Sequence, residues 1–256
     1  MRVCIWCNRD ERSTTFDKMA HIVPQSLGGK LTCENVCDEC NHYFGSNGTP
    51  PIETVFKEAF NITRYRLLTK ENIGKNKPLS RFKSIFFEIK TDPLNLVLKQ
   101  SFKLKPGFQA KLCRQFKRGI YKVFLEENER VNGDSLQDRF DFIREFARRN
   151  IGDYPLLYFP RKNPMMLMMD KELEEPGFSR RDKFGYLLDD YGFYEVEFLG
   201  HLFSFPTSRR FDLGLDLYLK ESIKLKKEYF ENPIQVNYLT DIDLALSIMD
   251  SNSIKR

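Results

Sequence analysis

The apolar positions between residues 108 and 127 recur at the interval of an α-helix. Leu112, Phe116, Ile120 and Phe124 follow one another every four residues, and a helix with about 3.6 residues per turn places such a series on one side. The basic residues of the same stretch fall largely on the opposite side, and they are Lys111, Arg114, Lys117, Arg118 and Lys122. The pattern predicts an amphipathic helix with a buried apolar face and a solvated basic face.

The remainder of residues 49–256 alternates between helical and strand-like patterns. Helical spacing is present at 53–71, 136–149 and 212–229, and the last twenty residues suggest a short closing helix. Residues 81–105, with a turn at 91–93, and residues 155–205 are rich in aromatic and apolar residues between turn signals, which is typical of strands. We therefore expect a mixed α+β domain over 49–256.

Residues 1–48 have a different character. They contain no long amphipathic period and are rich in Cys, Gly and Asn, and Thr49-Pro50-Pro51 marks a break after them. A segment this short can hardly bury enough apolar surface to fold by itself. We therefore predict two domains: a metal-organised module at 1–48 and the α+β domain at 49–256.

The composition narrows the class of protein. Of 256 residues, 41% are hydrophobic and 30% are charged, as in ordinary globular proteins, and 23 Phe indicate an aromatic core. No apolar run approaches the roughly 18–20 residues that cross a bilayer, and the first residues lack the apolar stretch of a signal peptide. The expected location is cytoplasmic, with no membrane contact.

Charge is unevenly distributed along the chain. The net charge is +5, yet residues 61–130 carry 17 Lys and Arg against 6 Asp and Glu. A basic surface of this kind suits a polyanion, of which nucleic acid is the most common. The alternative is a solvated basic face that acidic neighbours balance in space. On the first interpretation, Lys111, Arg114, Lys117 and Arg118 would contact nucleic acid.

Four of the six cysteines form two CxxC pairs, Cys4/Cys7 and Cys37/Cys40. Each two-residue spacer lets one tight turn present both sulfur atoms, and zinc prefers four such ligands in a tetrahedron. One pair on a turn and one leading into a helix is a treble-clef arrangement. The spacing predicts a structural zinc ion on these four residues, and we expect Cys33 and Cys113 to be buried filler.

The residues between the two pairs suggest chemistry as well as structure. His21 lies in the short apolar run His-Ile-Val-Pro, and Leu27-Gly28-Gly29 is a turn whose glycines can take positive φ. Asn35 precedes the second pair, and Asn41 follows Cys40. This order predicts a β-hairpin with His21 on its first strand, followed by a helix led by Cys40-Asn41.

With these motifs in this order, residues 4–45 resemble the HNH endonucleases, the ββα-metal nucleases, in the subgroup with a four-cysteine zinc site. The resemblance implies that His21 is the general base that deprotonates water, and that Asn35 orients its imidazole. It also implies a divalent ion, Mg²⁺ or Mn²⁺, held by Asn41, for which Asp17, Asp38 and His42 are nearby candidate ligands. The implied activity is hydrolysis of DNA, with RNA not excluded, in restriction or in defence against foreign DNA.

One departure from the family pattern keeps alternatives open. The family usually has an acidic residue or a histidine immediately before the general base, as a metal ligand, and here that residue is Ala20. The segment is therefore either a nuclease, a non-catalytic zinc module that binds nucleic acid or protein, or an effector nuclease that depends on a partner protein. A homo-oligomer is also compatible with the sequence.

Overall fold

A computed structural model describes residues 1–27, 29–48, 50–60, 84–91, 94–101, 106–162, 178–180, 191–198 and 201–242. Helices and antiparallel sheets alternate in this part of the chain, which confirms the predicted α+β class. The expected helix beyond residue 60, the turn residues 92–93 and the closing helix after residue 242 lie outside the described residues, as does much of the basic segment 61–105.

Five α-helices occur in the described residues: α1 (Asp38–Ser46), α2 (Ile52–Ala59), α3 (Pro106–Asn132), α4 (Asp141–Ala147) and α5 (Leu215–Lys226). The helix that the sequence predicts at 108–127 is α3, which extends further at both ends. It stops where Gly133, at a φ of +68°, donates its N–H to the carbonyl of Glu129, a helix ending that favours glycine.

The strands are β1 (Ala20–His21), β2 (Thr32–Cys33), β3 (Phe87–Thr91), β4 (Leu94–Leu98), β5 (Leu157–Phe159), β6 (Phe178–Arg180), β7 (Phe193–Phe198), β8 (His201–Pro206) and β9 (Ile234–Gln235). β1 pairs with β2, and β3 with β4, as two antiparallel hairpins. The other five strands form an antiparallel sheet in the order β6-β7-β8-β5-β9.

The five-stranded sheet is covered on both faces. All six residues of β8 are buried, and successive side chains of a strand point to opposite faces. Phe203 and Phe205 belong to the main core with α3, whereas Leu202 packs in a second cluster with Tyr218 of α5. The sheet is therefore the middle layer between α3 and α5.

The long helix α3 is central to the main core. The ring of Phe116 lies 5.7 Å from Phe56, 5.5 Å from Phe60 and 5.8 Å from Phe203, so α2, α3 and β8 meet there. One continuous apolar cluster contains these rings together with residues of the N-terminal segment 1–48. The independent folding of 1–48 and 49–256 stays a prediction.

Among the helices that the structure describes, none combines the length and the apolar character that a bilayer crossing requires.

Candidate metal centre and active site

The first cysteine pair sits on a tight turn at the N-terminus. The N–H of Cys4 donates to the carbonyl of Arg9, and the N–H of Asn8 donates to the carbonyl of Cys4, both at 2.8 Å. Asn8 adopts a left-handed conformation with a φ of 59°, which Asn tolerates better than most residues. The turn brings the sulfur atoms of Cys4 and Cys7 to one side, as the spacing predicts.

The second pair begins a helix, two residues earlier than the sequence suggested. Cys37 is the residue before α1, and Cys40 lies in its first turn. The N–H of Cys37 donates to the Sγ of Cys4 at 3.4 Å, so the two pairs face one another directly.

The four sulfur atoms fit a zinc ion. They all lie within 4.8 Å of one another, and the Sγ atoms of Cys7 and Cys37 are 3.7 Å apart. Zn–S bonds of about 2.3 Å in a regular tetrahedron separate the sulfur atoms by about 3.8 Å. Among the described residues, this is the one group of three or more His, Cys, Asp or Glu close enough to share an ion. The arrangement supports the predicted structural zinc site.

Positive charge surrounds the sulfur cluster. The Nε atoms of Arg9 and Arg148 donate to the Sγ atoms of Cys7 and Cys40, each at 3.4 Å, and both guanidinium groups also contact Glu39. Four thiolates and one Zn²⁺ leave a net negative charge, which these donors offset. Arg148 follows α4 far along the chain, and no local sequence pattern indicates its role.

Hydrogen bonding within the cluster also favours a thiolate. The hydrogen bond with Cys40 lowers the pKa of Cys4 to about 5, and the same contact raises the pKa of Cys40, because a protonated Cys40 that donates to Cys4 favours the thiolate of Cys4. Zinc binds the thiolate form of cysteine. The two remaining cysteines, Cys33 and Cys113, are buried and do not belong to this cluster.

His21 lies on a short hairpin beside this cluster. It pairs with Thr32 in the β1–β2 register and is half-buried. Its Nδ1 atom is buried and has no hydrogen-bond partner among the described residues. A buried ring nitrogen without a partner is unusual and calls for an explanation, of which a catalytic role is one.

At Gly29, glycine is needed for close backbone packing rather than for a positive φ, and Gly28 lies outside the described residues. Gly29 is not in the left-handed region, but a Cβ atom there would lie 2.0 Å from the carbonyl oxygen of Val23. Glycine is needed because two backbone segments approach closely. That approach shapes the loop that follows His21.

Asn35 is hydrogen-bonded through both its side chain and its backbone, and its role in orienting the imidazole of His21 stays a prediction. Its side-chain Nδ2 donates to Oε1 of Glu129 on α3 at 2.6 Å, and its backbone carbonyl accepts from the N–H of Ile5 at 2.9 Å. Within the described residues, the amide of Asn35 thus donates to the carboxylate of Glu129. Asn35 links the cysteine turn to α3.

Asn41 and His42 lie on α1, which completes a ββα arrangement with the β1–β2 hairpin. The Nδ2 of Asn41 reaches the carbonyl of Met19, just before β1, at 3.4 Å, whereas His42 is exposed. Ala20 is buried in β1. The side-chain oxygen of Asn41 is therefore near the strand that carries His21.

The predicted solvated basic face of α3 is wrong for part of its length. Lys117 and Arg118 are 6% and 4% exposed. Lys117 pairs with Asp153 at 2.7 Å, and Arg118 donates to Tyr43 and to the carbonyl of Ala147. The apolar pattern did not show this burial, because α3 is surrounded on several sides rather than on one.

The other two basic residues of this set differ from each other. Lys111 is exposed. Arg114 is half-buried and donates to the side chain of Asn150 and to the carbonyl of Gly152. Of the four residues expected to contact nucleic acid, only Lys111 is exposed in the described structure.

Sequence reasoning missed a polar stripe on α3 that contacts the N-terminal segment. Its members are Lys122, Glu126 and Glu129, which are buried and hydrogen-bonded to that segment. The spacing i, i+4, i+7 marks one helix face, but nothing in the local sequence indicates which partner this face meets.

Comparison with protein families agrees with the geometry. A family model described as HNH endonuclease matches residues 4–57, which include the cysteine pairs, the ββα arrangement and most of α2. Comparisons with curated proteins and with solved structures found no match for the chain. Residues 4–57, hereafter the HNH segment, are therefore similar to the HNH endonuclease family.

Proposed function

We propose that this protein is a metal-dependent endonuclease that hydrolyses phosphodiester bonds of DNA by nicking or by double-strand cleavage. One observation carries the proposal: His21 lies on the first strand of a ββα arrangement that is joined to a four-sulfur zinc site. The family match to residues 4–57 supports a nucleic-acid substrate.

His21 has the chemistry of a general base. A neutral imidazole nitrogen accepts a proton from water, the water oxygen forms a bond to phosphorus, and the bond from phosphorus to the leaving oxygen breaks. The leaving oxygen then takes up a proton. The unpartnered Nδ1 of His21 leaves the imidazole without a competing hydrogen bond at that atom.

The proposed ligands of the catalytic cation, Mg²⁺ or Mn²⁺, are Asn41 and His42 on α1, where it would polarise the phosphate and stabilise the leaving oxygen. An amide oxygen suits such a cation, and Mg²⁺ commonly takes few protein ligands beside water and phosphate oxygens. The buried Ala20 supplies none. Asn35 supports the same site by joining the cysteine turn to α3.

The proposed nucleic-acid contacts begin at Lys111, which is exposed on α3, with Arg114 as a weaker contributor because its guanidinium already has protein partners. Lys117 and Arg118 shape the protein interior instead. Such phosphate contacts provide affinity without sequence readout.

We place this activity in the cytoplasm, in restriction or in defence against foreign DNA. All six cysteines are free thiols in the structure, which suits a reducing compartment. In this proposal, a partner protein or a second copy of the chain regulates the active site and does not supply catalytic residues.

A supercoiled-plasmid assay tests the proposal. Zinc-loaded wild-type protein with Mg²⁺ or Mn²⁺ should convert plasmid to nicked or linear DNA, and His21→Ala should cleave about 10²–10⁴-fold more slowly, as loss of a general base predicts. Gln25→Ala, an exposed change in the short 3-10 helix after β1, is the matched control and should keep the wild-type rate. A parallel RNA substrate identifies the preferred nucleic acid.

The buried Ala20, where the family usually places a ligand, favours a second function: a non-catalytic zinc module that binds nucleic acid. In that case wild type and His21→Ala leave the plasmid intact while both bind one zinc ion and shift DNA in a gel. Cleavage that appears only after addition of a cell extract identifies the partner-dependent nuclease instead.

A further inference from the structure

The polar stripe on α3 lies outside the HNH segment in sequence and forms hydrogen bonds with it at three places. Lys122, Glu126 and Glu129 share one face of the helix, and all three are buried. Their partners are the strand that carries His21, the turn between Cys4 and Cys7, and the side chain of Asn35.

Lys122 holds the strand of the proposed base. Its Nζ donates to the carbonyl oxygen of His21 at 2.9 Å and to that of Ile22 at 3.3 Å. The same ammonium group contacts Glu126 at 2.9 Å and Glu53 at 3.7 Å. Although burial alone lowers the pKa of Lys122, Glu126 and Glu53 raise it, so the ammonium stays charged. An ammonium group has three donors, and these contacts engage them all.

Glu126 joins this lysine to the cysteine turn. Its Oε2 accepts from Lys122, and its Oε1 accepts from Nε1 of Trp6 at 3.0 Å. Trp6 is the only tryptophan of the chain, lies between Cys4 and Cys7, and is buried against Phe44 at a ring separation of 4.8 Å. Burial raises the pKa of Glu126 to about 7, against the opposing effect of Lys122.

Glu129 extends the stripe to Asn35. Its Oε1 accepts from Nδ2 of Asn35 at 2.6 Å, while its Oε2 accepts from the N–H of Ser135 at 3.0 Å. The carboxylate is thereby fixed on both sides. Asn35 is held in place by a group that the HNH segment does not contain.

Stability alone does not explain a buried charged stripe. Replacing a buried ion pair by apolar residues of similar volume is often neutral or stabilising, because the desolvation of two charges offsets their attraction. Hydrogen bonds and ion pairs fix the relative position of α3 and the HNH segment. Apolar packing alone would not fix it as strictly. The strands β1 and β2 have two residues each, so the hairpin has few bonds of its own with which to fix the imidazole.

We propose that Lys122, Glu126 and Glu129 are positioning residues that hold His21 and Asn35 in their working geometry, so that a helix outside the HNH segment completes the active site. This inference rests on the proposed nuclease function for its catalytic part. Displacement of a catalytic group by about 1 Å can lower a rate about 100-fold, so loss of the stripe should affect turnover more than substrate binding.

The first test replaces the charged pair by neutral residues of similar shape, in Lys122→Met/Glu126→Gln. The glutamine keeps an acceptor for Trp6. We expect the variant to bind one zinc ion and to keep the emission maximum of Trp6, while kcat falls about 100-fold and KM changes by less than about twofold. Wild-type kcat in a zinc-loaded variant would overturn the inference.

The chain offers a matched control in a second buried lysine–glutamate pair. Nζ of Lys226 lies 2.6 Å from Oε1 of Glu195 beside the five-stranded sheet, and both side chains are buried. Lys226→Met/Glu195→Gln makes the same chemical change away from the HNH segment and should leave kcat unchanged. An equal loss of kcat in both double variants would mean that any buried charge pair affects turnover, and would overturn the positioning role.

Glu129 provides a second variant should the double substitution fail to fold. Glu129→Gln keeps an acceptor for Asn35, and Glu129→Leu removes it. We expect the leucine variant to lose about tenfold in kcat and the glutamine variant to restore most of it, an effect on the scale of one lost hydrogen bond. Equal activity of the two variants contradicts the role of Glu129.

A measurement that does not depend on catalysis tests this inference separately from the proposed function. The chain has three histidines, so the ring signals of His21, His42 and His201 can be compared in an NMR spectrum. The Lys122→Met/Glu126→Gln variant should shift the His21 ring signals and leave those of His201 in place. Should the wild type not cleave, the nuclease proposal fails, and unchanged His21 signals would then overturn the positioning inference as well.

Discussion

The N-terminal segment 1–48 and the aromatic core around α3 achieve order in opposite ways. In the first, strands of two residues and a nine-residue helix surround four sulfur atoms that lie within 4.8 Å of one another. In the second, a 27-residue helix packs its rings against α2 and a five-stranded sheet. A ligand cluster organises a short chain through a few strong directed bonds, whereas a core organises a long chain through many weak contacts.

The two regions should therefore respond differently to the loss of a single side chain. Loss of one ligand removes the whole centre, because zinc binding and folding are linked. Loss of one ring removes only its own contacts, and the remaining rings still pack. The following changes test this contrast, from the largest expected effect to the smallest.

Cys37→Ser should produce the largest effect. Structural zinc contributes about 10–16 kcal/mol of apparent free energy in zinc-finger peptides, so we expect the variant to bind far less than one zinc ion per chain. Emission of Trp6 should shift to longer wavelength as the cysteine turn opens, while far-UV circular dichroism retains the signal of α3. Zinc analysis and fluorescence provide the two measurements.

Cys113→Ser is the control for that change. Cys113 is buried beside the carbonyl of Val236 and lies away from the sulfur cluster, so its variant should keep the zinc ion. Loss of the helical circular dichroism signal in Cys37→Ser would contradict the contrast between the two regions. The aromatic core would then depend on the metal centre.

Phe116→Ala should destabilise the aromatic core without loss of metal. The ring is fully buried between Phe56, Phe60 and Phe203, and removal of a buried aromatic side chain costs about 3–5 kcal/mol. Urea unfolding at constant zinc concentration measures the change in free energy. Phe116→Leu should lose less, and a loss below about 1 kcal/mol in the alanine variant would show that the core is loosely packed.

Gly119→Ala should have an intermediate effect through overpacking. A Cβ atom at this position of α3 would lie 2.7 Å from Cδ2 of Phe56, and an added methyl group in a packed core costs about 1–3 kcal/mol. Gly107→Ala is the matched control on the same helix, since its Cβ meets no atom within 4 Å. That control should be stabilised, if anything, by the higher helix propensity of alanine, and both are compared by thermal unfolding.

His201 should make stability fall in mild acid. Burial lowers the pKa of His201 from its ordinary value of 6.5 to about 3, so the unfolded chain binds a proton at a pH where the folded chain does not. Stability from this group is complete above pH 6.5 and is lost as the pH falls towards 3. Between pH 7.5 and 5.5 the loss should be about 1.4 kcal/mol.

The His201→Phe variant isolates this contribution. The imidazole is surrounded by the rings of Phe60, Tyr158 and Phe203, so an aromatic replacement fits. Urea unfolding at the two pH values should show a smaller difference in the variant than in the wild type. The same difference in both proteins would assign the pH dependence to other groups.

The sequence by itself was sufficient to predict the cluster of four cysteines and the helix α3. The spacing of Cys4, Cys7, Cys37 and Cys40 predicted their cluster, because a two-residue spacer constrains both sulfur atoms locally. The order of His21, Asn35 and Asn41 predicted the ββα arrangement, and the four-residue spacing of apolar positions predicted α3. Each of these depends on residues close in the chain.

The tertiary structure alone decided which groups meet across the chain. Lys117 and Arg118 fit a solvated face by pattern, yet they are buried, because elements distant in sequence cover that side of α3. Asn35 contacts Glu129, 94 residues later, and Trp6 contacts Glu126, 120 residues later. Local periodicity specifies that a face is buried or polar but not its partner, since partner choice depends on the packing of the whole chain.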